Sequence, residues 1–178
     1  MQDFKEKDMD KITNNIWLGN ISSATNIKNL KRLGIKKVLS ILENPVPKYT
    51  REDNIKHGIL KVVDSPEQNV IQYFGNCLRF MNGEENILVH CMGGCSRSPT
   101  IVIAYIMWKY MLSYNKAFEF VNRKRPFIFP NNGFKEQLKL FETLLIKNNY
   151  DLNRINFNHI FWSDKVYNYY LNNINVFI

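Results

Sequence analysis

The sequence predicts an α/β fold, a central mostly parallel sheet flanked by helices, and three observations lead there. Short apolar runs of strand length alternate with stretches whose apolar residues recur at helical spacing. Glycines stand where those helical stretches should stop, at Gly34 and Gly83. A glycine-containing loop joins a strong apolar run to a long apolar helix.

Taken in order, Asn14 to Leu18 reads as a first strand, closed by a turn at Gly19-Asn20. Ser22-Ser23 can cap an amphipathic helix with Ile27, Leu30 and Leu33 on one face, and Gly34 suits its C-terminus. Ile35 to Leu42 is a buried strand, followed by a Pro- and charge-rich loop from about Pro45 to Asn54. Gly58 to Val63 is the next strand; it ends at Asp64 and leads into the polar loop Ser65 to Asn69. Val70 to Met81 places Ile71, Phe74, Leu78 and Met81 at helical spacing, and Asn86 to His90 is a strand built on Ile87-Leu88-Val89. The segment Cys91 to Ser98 follows, then an apolar helix from Pro99 to Met111, with proline in the first turn where its missing N–H costs nothing. Ser113 can cap a helix carrying Ala117, Phe118 and Val121, and Pro130-Asn131-Asn132 opens a last one carrying Phe134, Leu138, Leu140, Phe141 and Leu145.

With 178 residues, 45% apolar and 22% charged, the chain is one ordinary domain with a short appendage, which excludes disorder and a multidomain design. The composition shifts to Asn, Tyr and Phe from Asn148 onward, so residues 1–147 are read as the domain and 148–178 as an extension. Tyr150, Phe157, Phe161, Trp162, Tyr167, Tyr169 and Tyr170 give that extension too much aromatic surface for a solvated tail. It is expected to pack on the domain or on another chain. The longest apolar run, Ile101 to Trp108, is followed by Lys109 and falls short of the roughly 18 residues a membrane span needs. Neither terminus offers a secretory signal or a prenylation cysteine.

Cys77, Cys91 and Cys95 are too few for a disulfide scaffold or a four-cysteine zinc site, which points to a reducing intracellular compartment, cytoplasm or nucleus. His57 and His159 have no metal-ligand spacing with any partner, so no metal is expected. The net charge of +8 is scattered, with clusters only at Lys31, Arg32, Lys36 and Lys37 and at Arg123 to Arg125. A continuous basic stripe interleaved with aromatics is missing, so no nucleic-acid partner is expected, whereas anionic substrates suit the charge.

The chemistry concentrates in His90-Cys91-Met92-Gly93-Gly94-Cys95-Ser96-Arg97-Ser98. A strand before this segment, a helix after it and glycines within it gather backbone N–H groups around one point, where the helix N-terminus adds positive potential. That is a cradle for an anion. Helix N-terminus and arginine both favour the thiolate form of a cysteine at its base, and a thiolate is a competent nucleophile. Arg97 can grip two phosphoryl oxygens through its planar fork, which lysine cannot do.

This segment resembles the His-Cys-x5-Arg-Ser signature of the dual-specificity phosphatases, within the cysteine-dependent protein tyrosine phosphatase superfamily. The likeness extends to Asn15-Ile16-Trp17-Leu18-Gly19-Asn20 with Ala24, Ile35 to Leu39, Asp64 ahead of Tyr73-Phe74, Arg97-Ser98-Pro99-Thr100, Arg125-Pro126, Pro130-Asn131 and Gly133-Phe134, about residues 12 to 147. It implies a phosphatase-type fold with the Cys-x5-Arg loop between a core strand and a buried helix. It also implies Cys91 as nucleophile, Arg97 as phosphate-binding arginine, Ser98 as the hydroxyl assisting phosphoenzyme breakdown, and Met92, Gly93, Gly94, Cys95 and Ser96 as the rest of the phosphate-binding loop. Asp64, 27 residues before Cys91, falls on the general acid, with Glu67 on the same loop as its competitor.

The implied reaction is a two-step hydrolysis of phosphotyrosine and phosphoserine or phosphothreonine in proteins, through a phosphocysteine and without a cofactor. The loop carries no lysine, in contrast to lipid-directed relatives, which favours protein substrates. Two alternatives stay open: an inactive phosphatase-like domain that only binds phosphorylated partners, and a phosphatase of RNA 5′ ends or phosphoinositides.

Around this core, His90 is expected to organise the loop as a hydrogen-bonded structural histidine rather than to act as a base. Ser96 is read as a hydrogen-bond donor within the loop or a plain turn serine. Arg125 is read either as a rim residue meeting substrate phosphate or as a solvated loop arginine. Cys95 invites a redox reading, in which it traps oxidised Cys91 as a disulfide, and Cys77 is read as core.

Overall fold

The inner strands of the sheet carry apolar side chains on both faces, as strands covered by helices on two sides must. The structure, a computed structural model, describes residues 8–44, 46–160 and 162. Its sheet contains β1 (Met9–Lys11), β2 (Ile16–Gly19), β3 (Ile35–Ile41), β4 (Lys56–Leu60) and β5 (Asn86–His90), in the spatial order β1-β2-β5-β3-β4. β2, β5, β3 and β4 run parallel, and only the short β1 pairs antiparallel, at the edge beside β2. The expected mostly parallel sheet is therefore present.

Alternation along the strands sorts the two faces. Ile16 and Leu18 of β2, Ile87 and Val89 of β5, and Leu39 and Ile41 of β3 enter the larger core, while Leu88, Ile35 and Val38 enter the smaller one. Ile35 and Val38 share a face despite their odd spacing because β3 carries an irregularity against β5 between Ile35 and Lys37, which resets the pleat. Two short helices, α1 (Ile21–Thr25) and α2 (Ile27–Arg32), supply Ala24 and Leu30 to the smaller core. The opposite face is covered by α3 (Phe74–Met81), α4 (Arg97–Tyr110), α5 (Tyr114–Lys124) and α6 (Asn132–Lys147). Residues Ser98 to Met107 of α4 are all buried, as a helix surrounded by protein on every side requires.

The elements differ from expectation at their ends. The single helix expected after Ser22-Ser23 is two, because Asn20 accepts a hydrogen bond from Ser23 N and Asn26 one from Asn29 N, so that a second cap interrupts the run. The expected strand Gly58 to Val63 lies earlier, at Lys56–Leu60, and the helix expected from Val70 begins with a 3₁₀ turn, Ile71–Tyr73. Ser113 and Asn131 cap α5 and α6 as read, and Gly34 takes φ 65° just beyond α2.

Beyond α6, Leu152, Ile155 and Phe157 are buried in the larger core, so the described part of the extension packs on the domain. Phe161, Tyr167, Tyr169 and Tyr170 lie outside the described residues, as do Pro45 and the chain ends 1–7 and 163–178. No helix among the described residues is long and apolar enough to cross a membrane.

Candidate active site

The central strand β5 and the buried helix α4 are joined by residues 91–96, which puts the loop at the carboxyl end of the parallel strands, where α/β folds bind ligands. Cys91 is buried at its start. The Cys91 Sγ accepts from Gly94 N at 3.2 Å and from Ser98 Oγ at 3.1 Å, both donors suited to a sulfur anion. Gly94 has φ 70°, and a Cβ there would lie 2.6 Å from Arg125 Nη2 and 2.7 Å from Gly19 O, so only glycine fits. The loop is pinned at both ends, since Met92 O accepts from Ile21 N at 3.1 Å and Cys95 O from Phe129 N at 2.6 Å.

Asp64, on the loop after β4, reaches this segment. Its Oδ1 accepts from Ser96 Oγ at 2.7 Å and from Asn131 Nδ2 at 2.9 Å, and its Oδ2 lies 3.6 Å from Arg97 Nε. Ser96 Oγ also accepts from Asn131 N at 3.2 Å. Ser96 thus ties the loop to Asp64 and to the start of α6, a task the expectation of a bond inside the loop did not contain. Asn131 does two jobs, capping α6 through Oδ1 and holding Asp64 through Nδ2. Arg97 Nη1 donates to Val62 O at 3.4 Å, while its buried Nε makes no hydrogen bond among the described residues. Glu67 pairs instead with the Ser65 hydroxyl, which holds its carboxyl below the usual range and keeps it an acceptor rather than an acid.

His90 ends β5 with no exposed surface. Its Nδ1 faces Cys91 O at 3.2 Å, and because a carbonyl only accepts, Nδ1 carries the proton. The neutral ring's Nε2 then accepts from Ser40 Oγ at 2.6 Å, and Ser40 Oγ accepts in turn from His57 Nε2 at 2.8 Å. Burial pushes the His90 pKa down to about 4, with the bond to Cys91 O opposing and the His57 charge adding a smaller downward push. The expected hydrogen bonding of His90 at the start of the loop is present.

Arg125 departs from both readings made of it. It is fully buried, its Nε donating to Gly94 O at 3.0 Å and its Nη1 to Asp10 Oδ2 at 2.8 Å, with the guanidinium carbon 4.2 Å from the Phe127 ring centre. It is a strut behind the loop, neither rim nor solvated. Asp10 could not be found from sequence, since β1 is three residues without a pattern. Cys95 is partly buried and its thiol donates to Gly93 O at 3.3 Å; Cys77 is buried in the larger core, where burial pushes its pKa up to about 12.

What this arrangement can do is hold a dianion over a buried sulfur, with a guanidinium and a carboxylate beside it. A family model for the dual specificity phosphatase catalytic domain matches residues 16–144. The chain is 36% identical over 140 residues to dual specificity protein phosphatase 1B of Arabidopsis thaliana, covering 76% of this chain and 83% of that protein. It is 33% identical over 141 residues to dual specificity protein phosphatase MPK-4 of Drosophila melanogaster, where the match takes in 76% of this chain and 36% of the relative's length. The human tyrosine phosphatase-like serine/threonine/tyrosine-interacting protein superposes with a TM-score of 0.74 at 32% identity, over 78% of this chain and 97% of that one.

Proposed function

The chain belongs to the dual specificity phosphatase family, and from that premise we propose that it hydrolyses phosphotyrosine and phosphoserine or phosphothreonine in proteins through a phosphocysteine at Cys91. The observation that carries this reading is the bond between Asp64 and Ser96, which delivers a carboxyl from a distant loop to the segment that holds the sulfur.

In the first step the Cys91 thiolate attacks phosphorus as the bond to the leaving oxygen breaks. Protonated Asp64 gives its proton to that oxygen, which a serine alkoxide needs far more than a stabilised phenolate. Arg97, whose buried Nε a phosphoryl oxygen would satisfy, binds the equatorial oxygens in both ground and transition states. In the second step water attacks the phosphocysteine, Asp64 takes its proton, and the sulfur leaves as thiolate. The Ser98 and Gly94 donors already on Sγ stabilise that leaving group. Met92, Gly93, Gly94, Cys95 and Ser96 supply the backbone cradle, and His90 orients the start of the loop through Cys91 O.

In this reading residues 1–147 form the catalytic unit and 148–178 an extension, of which Leu152, Ile155 and Phe157 pack on that unit. A nucleophilic thiol with two further free cysteines fits a reducing compartment, and phosphoproteins are the partners.

The test is turnover of an aryl phosphate across pH by the wild type, Cys91→Ser and Asp64→Asn, each checked for folding, followed by phosphopeptides, RNA 5′ ends and phosphoinositides. A dead Cys91→Ser, with Asp64→Asn slowed about 10²- to 10⁴-fold on alkyl leaving groups, supports the reading. A folded wild type that binds phosphate and turns over none of these substrates would make the domain a phospho-reader. Preferential turnover of RNA or lipid would move the substrate class.

A further inference from the structure

The family match ends at residue 144, yet the chain beyond it returns to the loop that carries Asp64. Trp162 Nε1 donates to Pro66 O at 2.9 Å, and Asn69 Nδ2 donates to Ile160 O at 2.7 Å, so the chain at 160–162 clasps both ends of residues 66–69. The extension is itself anchored. Leu152, Ile155 and Phe157 are buried, Phe157 packs against Gly75 and the Phe141 ring, and Trp108 Nε1 donates to Tyr150 O at 3.0 Å.

Inside the clasp, the loop is held at its base by Gln137, which donates to Gln68 O at 2.9 Å and accepts from Val70 N and Ile71 N. A Cβ on Gly133 would overlap the Pro66 carbonyl, so α6 buttresses one side of Pro66 while Trp162 bonds its carbonyl. Pro66 is two residues from Asp64, whose carboxylate is held from the other side by Ser96 and Asn131 and paired with Arg97. The path of the backbone between those two sets of anchors decides where the Asp64 carboxyl stands over the phosphate loop.

We propose that the segment from Tyr150 to Trp162 is a strap that sets the general-acid loop, with Trp162 as a positioning residue that acts on Asp64 through the Pro66 carbonyl. The inference rests on the reading of Asp64 as the acid. A strap of this kind affects chiefly those reactions that need the proton, because Cys91, Arg97 and Ser98 are hydrogen-bonded to the loop and to Val62 and none of the described residues 150–162 is hydrogen-bonded to them.

The experiment uses the full chain and two substrates, phosphoserine peptide as the alkyl leaving group and an aryl phosphate whose nitrophenolate leaves without an acid. Trp162→Phe keeps the ring and removes the donor. It is expected to lower kcat/KM on the peptide by about 3- to 10-fold, roughly the loss of one hydrogen bond's worth of positioning, with the aryl phosphate within about twofold and thermal stability unchanged. Asn69→Ala, at the other end of the clasp, should repeat the pattern. In an Asp64→Asn background Trp162→Phe should add nothing. Equal losses on both substrates, or none on either, would overturn the strap while leaving the acid in place. If Asp64→Asn itself leaves the ratio of the two substrates unchanged, the acid reading fails and the strap fails with it.

Discussion

Arg125 Nη1 stands 2.8 Å from Asp10 Oδ2, joining the end of α5 to the edge strand β1 behind the phosphate loop. The guanidinium side chain is 1% exposed and the carboxylate 15%, so the pair is largely dry, and the same arginine holds Gly94 O. Removing the Asp10 carboxylate takes the ion-pair partner at 2.8 Å from a buried guanidinium, and breaking a buried pair costs about 3–5 kcal/mol. Asp10→Ala is therefore expected to lower the urea midpoint markedly, and Asp10→Asn less, because its amide oxygen still accepts. An unchanged midpoint in Asp10→Ala would show that the pair carries no stability.

The Ser98 hydroxyl donates a hydrogen bond to the Cys91 sulfur at 3.1 Å. A hydrogen bond to a charged group is worth about 1.5–3 kcal/mol, so Ser98→Ala should slow phosphocysteine breakdown about 10- to 100-fold while leaving its formation nearly intact. Rapid-mixing kinetics with an aryl phosphate would then show a burst of phenolate followed by a slow steady state. A uniform fall in rate with no burst would place Ser98 in the first step instead.

Asn131 offers a way to separate cap from acid support. Asn131→Ser keeps a side-chain oxygen able to accept from Phe134 N but is too short to donate to Asp64 Oδ1. The expected outcome is stability within about 1 kcal/mol of the wild type and a several-fold loss on phosphoserine peptide, measured as kcat/KM. If stability falls and the alkyl and aryl rates fall together, Asn131 serves only the helix.

How much of this could be read from the chain depends on the range of the interaction. Cys91, Arg97 and Ser98 share one short segment, so local pattern and resemblance located them together. Asp64 was found through the resemblance, but the residues that hold it were not, because the Asn131 bond spans 67 positions and its cap explains the asparagine already. Arg125 was misjudged for a similar reason: a basic residue in a basic cluster looks solvated until Asp10, 115 positions away, is seen against it. Helix ends were missed where two local signals competed, as at Asn20 and Asn26, whose caps three residues ahead outdo the serines that were read as the start. The extension was legible as aromatic surface needing cover, while its direction, toward the Asp64 loop, depended on long-range contacts such as Asn69 to Ile160.

The histidine chain behind Cys91 predicts a pH dependence of stability. Burial lowers the pKa of His90 to about 4 from an ordinary value near 6.5, and that of His57 in the same direction. The unfolded chain therefore binds more protons than the folded one between about pH 6.5 and pH 4, and stability must fall as pH drops through that window. For His90 the whole loss is on the order of 3 kcal/mol, at roughly 1.4 kcal/mol per pH unit. Asp53, lowered to about 2 chiefly by its bond with Lys31, loses its own contribution only as pH falls from about 3.8 toward 2, so the two effects separate. Urea denaturation at pH 7, 5.5 and 4.5 measures the slope, and His90→Gln, which cannot titrate, should flatten it whatever it does to stability at pH 7. An equally steep slope in that variant would assign the acid sensitivity to other groups.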